Sequence, residues 1–292
     1  MKIAIYSRGI ENNQLTDIKL LLGELKSYGA HPVFYQDFFN KIYASVNFES
    51  TYSTFNETEG LDPDVECIIS LGGDGTMLDT VTLVKDSGIP ILGVNYGRLG
   101  FLANIGKEDL HLALDALMNR KYVLDKRTLI HLDANSPLFG ETPYALNEFS
   151  LHKKDNSPMI KIHTYLNGEF LNTYWADGLI VATPTGSTGY SLSCNGPVVF
   201  PDSASFVITP VAPHNLNIRP IVVPDNNIVS FEIEGRTDGF LVTLDSRREA
   251  VPKEIQIAIK KETFGVNLVR LNENNFLQTL RNKLSWGLDK RN

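Results

Sequence analysis

The 292-residue sequence has few residues of the kinds that form zinc or redox sites. Its two cysteines, Cys67 and Cys194, lie far apart, and neither belongs to a C-x-x-C pattern. We interpret both thiols as small apolar side chains. Five of the six histidines show no ligand spacing and are interpreted as structural or surface residues: His31, His111, His131, His152 and His163. No set of metal ligands is therefore expected from the sequence.

Long apolar segments and an excess of basic residues are also missing. No apolar run approaches the roughly 18 residues that a helix needs to span a bilayer. Residues 1–6 lead directly into a predicted strand rather than a signal peptide. The formal net charge of −7 argues against general nucleic-acid binding, because that function favours a basic surface. We therefore expect a cytoplasmic protein with neither a nucleic-acid nor a membrane partner.

The first part of the chain alternates between apolar runs and helical stripes. Strands are expected at 2–7, 31–35, 65–71 and 89–94, and helices at 15–28, 37–46, about 77–86 and 107–120. Residues 47–63 are rich in turn formers and predict a loop. Residues 1–125 are therefore predicted to form an α/β, Rossmann-like domain with a doubly wound parallel sheet. The tail at 270–292, helical over 275–284, is expected to complete this domain.

The pattern changes near residue 126. Short segments with a period of two follow one another at 128–134, 145–153, 160–166, 179–183, 206–210, 227–234, 240–245 and 254–260. Asn167-Gly168 separates two strand-like runs and is a strong hairpin signal. Residues 126–269 are therefore predicted to form a β-rich, antiparallel, sandwich-like domain.

The most informative stretch of the first half is LGGDGT at residues 71–76. Its glycines let the backbone turn sharply and approach a ligand, and the helix that follows offers N–H groups to a phosphate. This predicts phosphate-binding roles for Gly72, Gly73, Gly75 and Thr76. Asp74 would repel a phosphate, so it needs another purpose. It could bind a metal ion, accept a proton from a hydroxyl that is being phosphorylated, or cap the helix.

Three stretches of the second half could bind a nucleotide. Asn147-Glu148 is either a pair that holds ribose or adenine, or a surface pair. Residues 177–193 lead from a strand into a loop of hydroxyls and glycines, which suits a nucleotide or a capped turn. That loop lacks G-x-S-x-G, which disfavours a hydrolase. Residues 209–224 contain four prolines and predict a rigid, non-regular path, with Arg219 available to phosphate and His214 interpreted as structural.

Taken together and in this order, these stretches resemble the motif set of the NAD kinases. The motifs are GGDGT at 72–76, Asn-Glu at 147–148, DG and TPTGSTGY within 177–190, and PHNLNIRPI at 213–221. The match spans roughly residues 3–270 and includes GRLGFL at 97–102. NAD kinases transfer a phosphoryl group from ATP, or from polyphosphate in some members, to the 2′-hydroxyl of the adenosine ribose of NAD. Diacylglycerol and sphingosine kinases and phosphofructokinases carry similar glycine-acid loops, but the later motifs are far more specific.

The resemblance implies roles for the matching positions. Asp74 is implied as the general base, and Gly72, Gly73, Gly75 and Thr76 as the ATP-phosphate loop. NAD-binding roles are implied for Gly73, Asp74, Gly75, Asn147, Glu148, Asp177, Thr185, Ser187, Thr188, Gly189, Tyr190 and Ala212. The resemblance also implies NAD and ATP as substrates, Mg²⁺ or another divalent ion as cofactor, control of the NADP(H) supply, and a homodimer or homotetramer.

The sequence departs from the family pattern at three places. Gly189 stands where alanine is usual, Cys194-Asn195 replaces a small-residue pair, and DSRR at 245–248 replaces a common Asp-Gly-Gln. Arg247 and Arg248 could face phosphate or be solvated. Two rival functions are a lipid kinase of the diacylglycerol kinase type, which would need an apolar entry for an acyl chain, and a nucleotide-binding regulator without turnover. The presence of Asp74 argues against the regulator.

Overall fold

The apolar runs of the chain build two compact units, Met1–Lys126 with Val266–Asn292, and Arg127–Gly265. The computed structural model describes residues 1–11, 14–46, 48, 52–97, 99–154, 157–236, 239–271 and 276–285. Each unit has its own cluster of buried apolar side chains. Among these described residues, no helix has the length and apolar character needed to cross a membrane.

The elements of the first unit alternate between strand and helix. In chain order they are β1 (Lys2–Tyr6), α1 (Leu15–Ser27), β2 (His31–Tyr35), α2 (Gln36–Val46), β3 (Ser53–Phe55), β4 (Val65–Leu71), α3 (Asp74–Val84), β5 (Ile91–Asn95), β6 (Ile105–Gly106) and α4 (Leu110–Met118). A 3₁₀ turn at Lys107–Asp109 precedes α4.

The sheet of the first unit is parallel, with the strand order β3-β2-β1-β4-β5. Its strands are apolar runs, and α1 packs Ile18, Leu21 and Leu25 into the same core. The chain builds outward from β1 to β3 and then returns to the other side of β1 for β4 and β5. The carboxyl ends of β1 and β4 therefore meet where the winding reverses, which is where open α/β sheets bind ligands. The predicted doubly wound parallel sheet is confirmed.

The second unit consists mainly of strands. In chain order its elements are β7 (Val123–Ala134), β8 (Tyr144–Ala145), β9 (Glu148–Lys153), β10 (Ile160–Leu166), β11 (Glu169–Ala176), β12 (Gly178–Ala182), α5 (Tyr190–Ser193), β13 (Ser205–Val211), β14 (Ile221–Pro224), β15 (Val229–Glu234), β16 (Gly239–Leu244), β17 (Arg247–Pro252) and β18 (Ile257–Arg270). The end of β18 lies in the first unit, where Leu268 pairs with Ile91, and α6 (Phe276–Leu284) follows it.

Two antiparallel layers form the core of the second unit. One has the order β14-β13-β12-β9-β16-β17, and the other runs β11-β10-β15-β18. Side chains of both layers share one buried cluster, in which the rings of Phe149 and Phe231 stack at 5.7 Å. The predicted antiparallel, sandwich-like character is confirmed. The Asn167-Gly168 hairpin is also confirmed, since both residues have positive φ and Leu166 pairs with Glu169.

Four sequence predictions need correction. The loop predicted at 47–63 contains β3, although residues 47 and 49–51 lie outside the described part. The strand predicted at 145–153 is interrupted at residues 146–147, and the strand predicted at 254–260 continues to Arg270. The non-regular path predicted at 209–224 contains the end of β13 and all of β14. Four strands have no predicted counterpart: β6, which has only two residues, and β3, β14 and β17, which lie at sheet ends, where exposed faces weaken the apolar pattern.

Candidate functional site

The GGDGT residues join β4 to α3 at the carboxyl edge of the parallel sheet. Gly73 is the N-cap of α3, which begins at Asp74. Gly72 has a φ of 153°, and a Cβ there would lie 2.3 Å from Thr76 Oγ1, so this position requires glycine. The N–H of Thr76 donates to Gly73 O at 3.0 Å, and the helix N-terminus that precedes it suits an anionic ligand.

Asp74 is held by the backbone of the loop that follows β5. Its Oδ2 accepts the N–H of Phe101 at 2.9 Å, and its Oδ1 accepts those of Leu102 and Ala103 at 3.0 Å each. The carboxylate therefore does not serve as the N-cap of α3, which removes that interpretation. A carboxylate offers about four lone-pair directions, so three N–H bonds leave one open at Oδ2. Asp74 is thus an oriented acceptor.

Gly100 makes this arrangement possible. A Cβ on Gly100 would lie 1.8 Å from Asp74 Oδ1, well inside any real contact distance. Its own N–H donates to the carbonyl of Ala103 at 2.9 Å, which closes the loop around the carboxylate. Within the GRLGFL stretch, Gly100, Phe101 and Leu102 therefore support the acid of GGDGT.

A cavity of about 730 Å³ opens beside the GGDGT turn in the first unit. Its walls come from the loops after β1, β4 and β5, at the point where the winding of the sheet reverses. Its lining includes Gly73 at the helix N-terminus, the acid Glu11, and Lys107, whose ammonium group also pairs with Asp17 at 3.5 Å. The helix N-terminus and the ammonium group suit a phosphorylated ligand.

Arg8 lies beside the same turn, and no sequence pattern had identified it. Its Nη2 donates to Asp79 Oδ1 of α3 at 2.6 Å, and the Tyr6 hydroxyl donates to Asp79 Oδ2 at 2.9 Å. Arg8 Nη1 lies 3.2 Å from the point that a Cβ on Gly75 would occupy. Asp79 therefore fixes a guanidinium group next to GGDGT.

Asn147 and Glu148 lie where the chain passes from β8 into β9, and the side chains of both approach Gly189. The point that a Cβ on Gly189 would occupy is 2.9 Å from Glu148 Oε2 and 3.6 Å from Asn147 Nδ2. Glu148 is 8% exposed, and Oε2 is buried without a hydrogen-bond partner. Burial, followed by the negative charge of Asp245, raises the pKa of Glu148 to about 8, against a lowering by the Tyr190 N–H. This pair is therefore not an ordinary surface pair.

The hydroxyl loop of the second unit is largely satisfied by its own contacts. Thr185–Thr188 forms a 3₁₀ turn, and Ser187 is fully buried, with its hydroxyl donating to Pro184 O at 2.7 Å. Thr188 Oγ1 donates to Thr185 O at 3.1 Å, and Thr185 Oγ1 accepts from Arg127 at 3.1 Å. These bonds fix the shape of the loop, and the N–H groups of Gly186, Ser187 and Gly189 are also bonded, to Thr183 Oγ1, Thr183 O and Gly186 O.

The remaining predicted residues of the second unit are Tyr190 at the start of a helix, and Asp177 and Ala212 beside strand ends. Tyr190 begins α5, is 39% exposed and stacks on His152 with ring centroids 5.6 Å apart. Asp177, between β11 and β12, forms an ion pair with Lys153 at 2.7 Å. Ala212 follows β13 with a φ of 46°, an uncommon conformation for a residue with a side chain. Asp177 N–H donates to Val211 O at 3.0 Å, which brings Asp177 next to Ala212.

Three other residues that the sequence had singled out make structural contacts. His214 stacks on Trp175 with ring centroids 4.2 Å apart. Arg219 Nη1 donates to the carbonyls of Leu216 and Ile218, within its own loop. Arg247 donates to Thr142 O at 2.6 Å and also to Tyr144 O. Arg247 is therefore not simply solvated, and these carbonyl contacts give it a structural role.

No dedicated metal cage is present among the described residues, where no group of three or more histidine, cysteine, aspartate or glutamate side chains could hold an ion. Mg²⁺ in phosphoryl-transfer sites is usually held by one or two carboxylates and by the phosphates of the substrate. The donor set of this chain therefore fits an ion that arrives with a nucleotide.

Comparisons with known proteins agree with these features. A family model described as the ATP-NAD kinase N-terminal domain matches residues 32–122, and one described as the ATP-NAD kinase C-terminal domain matches residues 146–271. The chain is 47% identical to an NAD kinase of Cytophaga hutchinsonii and 46% identical to one of Flavobacterium psychrophilum. Both alignments cover 100% of this chain and 100% of the relative.

Two solved structures resemble the fold. Yeast NADH kinase complexed with NADH superposes with a TM-score of 0.87 at 21% identity, covering 99% of this chain and 88% of that one. An NAD kinase from Archaeoglobus fulgidus in complex with ATP gives a TM-score of 0.74 at 23% identity, with coverages of 98% and 99%. At these identities the two structures support the fold alone.

Proposed function

The chain belongs to the ATP-NAD kinase family, and from that premise we propose that it phosphorylates NAD. ATP donates its γ-phosphoryl group to the 2′-hydroxyl of the adenosine ribose of NAD, and the products are NADP, ADP and a proton. The observation that carries the proposal is the oriented Asp74 carboxylate, with one acceptor direction open beside a turn suited to phosphate.

Asp74 is the general base of this reaction. A ribose hydroxyl is a weak nucleophile, so orienting it and accepting its proton contributes roughly 10²–10⁴ in rate. The N–H groups that fix Asp74 spare it any reorientation during the reaction. The open acceptor direction at Oδ2 takes the proton as the ribose oxygen bonds to the γ-phosphorus and the bond to the ADP oxygen breaks.

The phosphate groups of ATP lie at the GGDGT turn. Gly73 and Gly75 supply backbone N–H groups at the N-terminus of α3, and Gly72 and Thr76, whose N–H groups donate to Val94 O and Gly73 O, shape the turn. Mg²⁺ or another divalent ion supplies charge neutralisation when it is bound with ATP. Asp74 is committed to its N–H donors, which makes direct ligation of the ion by its Oδ1 the weaker alternative.

The second unit supplies most of the residues assigned to NAD. Residues 126–269 form the NAD-binding domain, and residues 1–125 with 270–292 form the domain that carries GGDGT. The residues assigned to NAD are Gly73, Asp74, Gly75, Asn147, Glu148, Asp177, Thr185, Ser187, Thr188, Gly189, Tyr190 and Ala212. The resemblance supports this set, and so does the grouping of Asn147, Glu148 and Tyr190 around Gly189.

The enzyme controls the NADP(H) supply, acts in the cytoplasm and assembles as a homodimer or homotetramer. These statements rest on the resemblance to the family. Cell fractionation tests the location, and light scattering coupled to size exclusion tests the assembly.

A product assay tests the proposed activity. The purified chain is incubated with Mg-ATP and NAD, and NADP is measured with an NADP-specific dehydrogenase. We expect NADP to accumulate in proportion to enzyme. Parallel arms replace NAD by NADH or diacylglycerol, and ATP by polyphosphate. Phosphorylated lipid without NADP would instead indicate the lipid kinase, and stoichiometric nucleotide binding without any product would indicate the regulator.

A further inference from the structure

The interruption between β8 and β9 is held from one side by a single carboxylate. Asp245, in the turn between β16 and β17, accepts the N–H of Leu146 at Oδ2, 2.9 Å away. Its Oδ1 accepts the N–H groups of Asn147 and Glu148 at 2.7 and 3.2 Å. Three consecutive donors therefore converge on one side chain. Residues 146–148 are called the 146–148 segment below.

All three carbonyl groups of the 146–148 segment also accept hydrogen bonds. Thr183 donates its hydroxyl to Leu146 O at 2.5 Å and its N–H to Asn147 O at 2.8 Å. The N–H of Asp245 donates to Glu148 O at 3.0 Å. Asp245 and Thr183 together therefore bond every backbone polar group of the segment, which is the complete satisfaction that buried backbone requires.

The turn that carries Asp245 is itself fixed. Asp245 has a φ of 54°, one of the conformations in which aspartate is enriched among residues with side chains. Arg247, two residues on, donates to the carbonyls of Thr142 and Tyr144, which precede the 146–148 segment. Its guanidinium carbon lies 5.6 Å from the centre of the Phe139 ring. The turn at residues 245–247 therefore forms hydrogen bonds both with the 146–148 segment and with the residues that precede it.

We propose that Asp245 is a positioning residue for the bound nucleotide, because it fixes the 146–148 segment so that the side chains of Asn147 and Glu148 meet at Gly189. This inference rests on the proposed binding of NAD by Asn147 and Glu148. It also gives a role to Arg247, which belongs to the part of DSRR that departs from Asp-Gly-Gln. Arg247 anchors the turn that carries Asp245.

Asp245 also sets the electrostatic environment of Glu148. The titratable groups around Glu148 are Asp245 from the turn after β16, and Tyr190 and Cys194 at the two ends of α5. Burial of the Asp245 carboxylate raises its pKa, and the N–H donors of the segment and the charge of Arg247 lower it. Replacing Asp245 by a neutral side chain removes a negative charge and lets Glu148 ionise at lower pH, whichever form of Glu148 binds NAD.

The first test compares Asp245→Asn with Asp225→Asn, a buried aspartate of the same unit that pairs with Lys261 at 2.6 Å. In Asp245→Asn, an NH₂ group replaces one carboxylate oxygen and faces a backbone N–H donor of the 146–148 segment. That donor therefore loses its acceptor. We expect KM for NAD to rise at least about tenfold, KM for ATP to stay unchanged, and the pH midpoint of kcat/KM for NAD to move to lower pH. Asp225→Asn should lower Tm without moving these values. An Asp245→Asn enzyme with unchanged KM for NAD and an unchanged pH profile would overturn the proposal.

A second test does not depend on turnover. Hydrogen exchange followed by mass spectrometry reports the protection of the peptide that contains the 146–148 segment, and we expect Asp245→Asn to exchange at least about tenfold faster there than the parent or Asp225→Asn. Unchanged protection would contradict the role of Asp245. If the parent makes no NADP but the protection changes as expected, the proposed activity fails while the contact of Asp245 with the segment holds.

Thr183 provides variants in case Asp245→Asn does not fold. Thr183→Val removes the hydroxyl that bonds Leu146 O, whereas Thr183→Ser keeps it. We expect Thr183→Val to raise KM for NAD and Thr183→Ser to restore it. Equal KM values in both variants would show that the hold on the segment does not position NAD.

Discussion

At the scale of single residues, backbone N–H groups hold one organising carboxylate in each of the two units. Asp74 takes three such bonds from residues 101–103, and Asp245 takes three from residues 146–148. An acid among glycines could be recognised from the sequence as functional. The residues whose N–H groups bond to that acid could not be recognised. Every residue except proline carries an N–H, and no side-chain pattern marks the ones that bond.

The first residue-scale prediction concerns Gly100→Ala. The added Cβ would lie 1.8 Å from Asp74 Oδ1 and would displace it. This displacement would break the N–H bonds that orient the carboxylate. We expect kcat to fall by about 10²-fold, as displacements near 1 Å can cause. The matched control is Gly23→Ala on α1, where nothing lies within 4 Å of the added Cβ. A Gly100→Ala enzyme as fast as the control would contradict the role of this contact.

The second residue-scale prediction concerns the ionisation of Glu148. Its pKa in the folded chain, about 8, lies above the ordinary value of 4.5. The folded state therefore binds the proton more tightly, and its stability falls as pH rises from about 4.5 to about 8, by up to about 1.4 kcal/mol per pH unit. We expect Glu148→Gln to gain stability over the parent across this window, measured by urea unfolding at pH 5 and pH 8. The raised pKa of Glu148 would be refuted if the stability difference between Glu148→Gln and the parent did not widen with pH. It would also be refuted if the exposed Glu59→Gln variant showed an equal difference.

At the scale of elements, the features recognised from the sequence are those encoded locally. The parallel strands β1, β2, β4 and β5 are apolar runs, and the two-residue turn at Asn167-Gly168 is encoded by its residue types. Of the four strands that escaped prediction, β6 has only two residues, and the other three lie at sheet ends. β3 and β14 are only three and four residues long, and β17 is charged at its start, so pairing with a neighbouring strand defines them.

An element-scale prediction compares two glycines whose added Cβ would meet nothing within 4 Å. Gly23 lies inside α1, whereas Gly168 lies in the β10–β11 turn with a φ of 83°. We expect Gly23→Ala to stabilise the fold by about 0.5–1 kcal/mol and Gly168→Ala to destabilise it by about 1–2 kcal/mol. Chemical denaturation of both variants measures these changes in the free energy of unfolding. Changes of the same sign would contradict the assigned backbone conformations.

At the scale of the whole molecule, the division into two units separates two tasks of the proposed reaction. The first unit carries the acid and the phosphate turn, and the second carries the polar groups gathered at Gly189. The net charge of −7 is compatible with anionic substrates because local N–H groups and single cations, rather than the overall charge, create the binding sites. Family membership follows from motifs spread along nearly the whole chain, which is why the sequence alone indicated the activity.

The most direct test of the central claim compares Asp74→Asn with the surface control Asp62→Asn. The variant removes the acceptor for the ribose proton, whereas the groups assigned to NAD in the second unit stay in place. We expect kcat to fall by at least about 10²-fold while the Kd for NAD, measured by calorimetry, changes by less than about threefold. Asp62→Asn should match the parent in both values. If Asp74→Asn retained near-normal kcat, Asp74 would not be the general base and the proposed mechanism would be wrong.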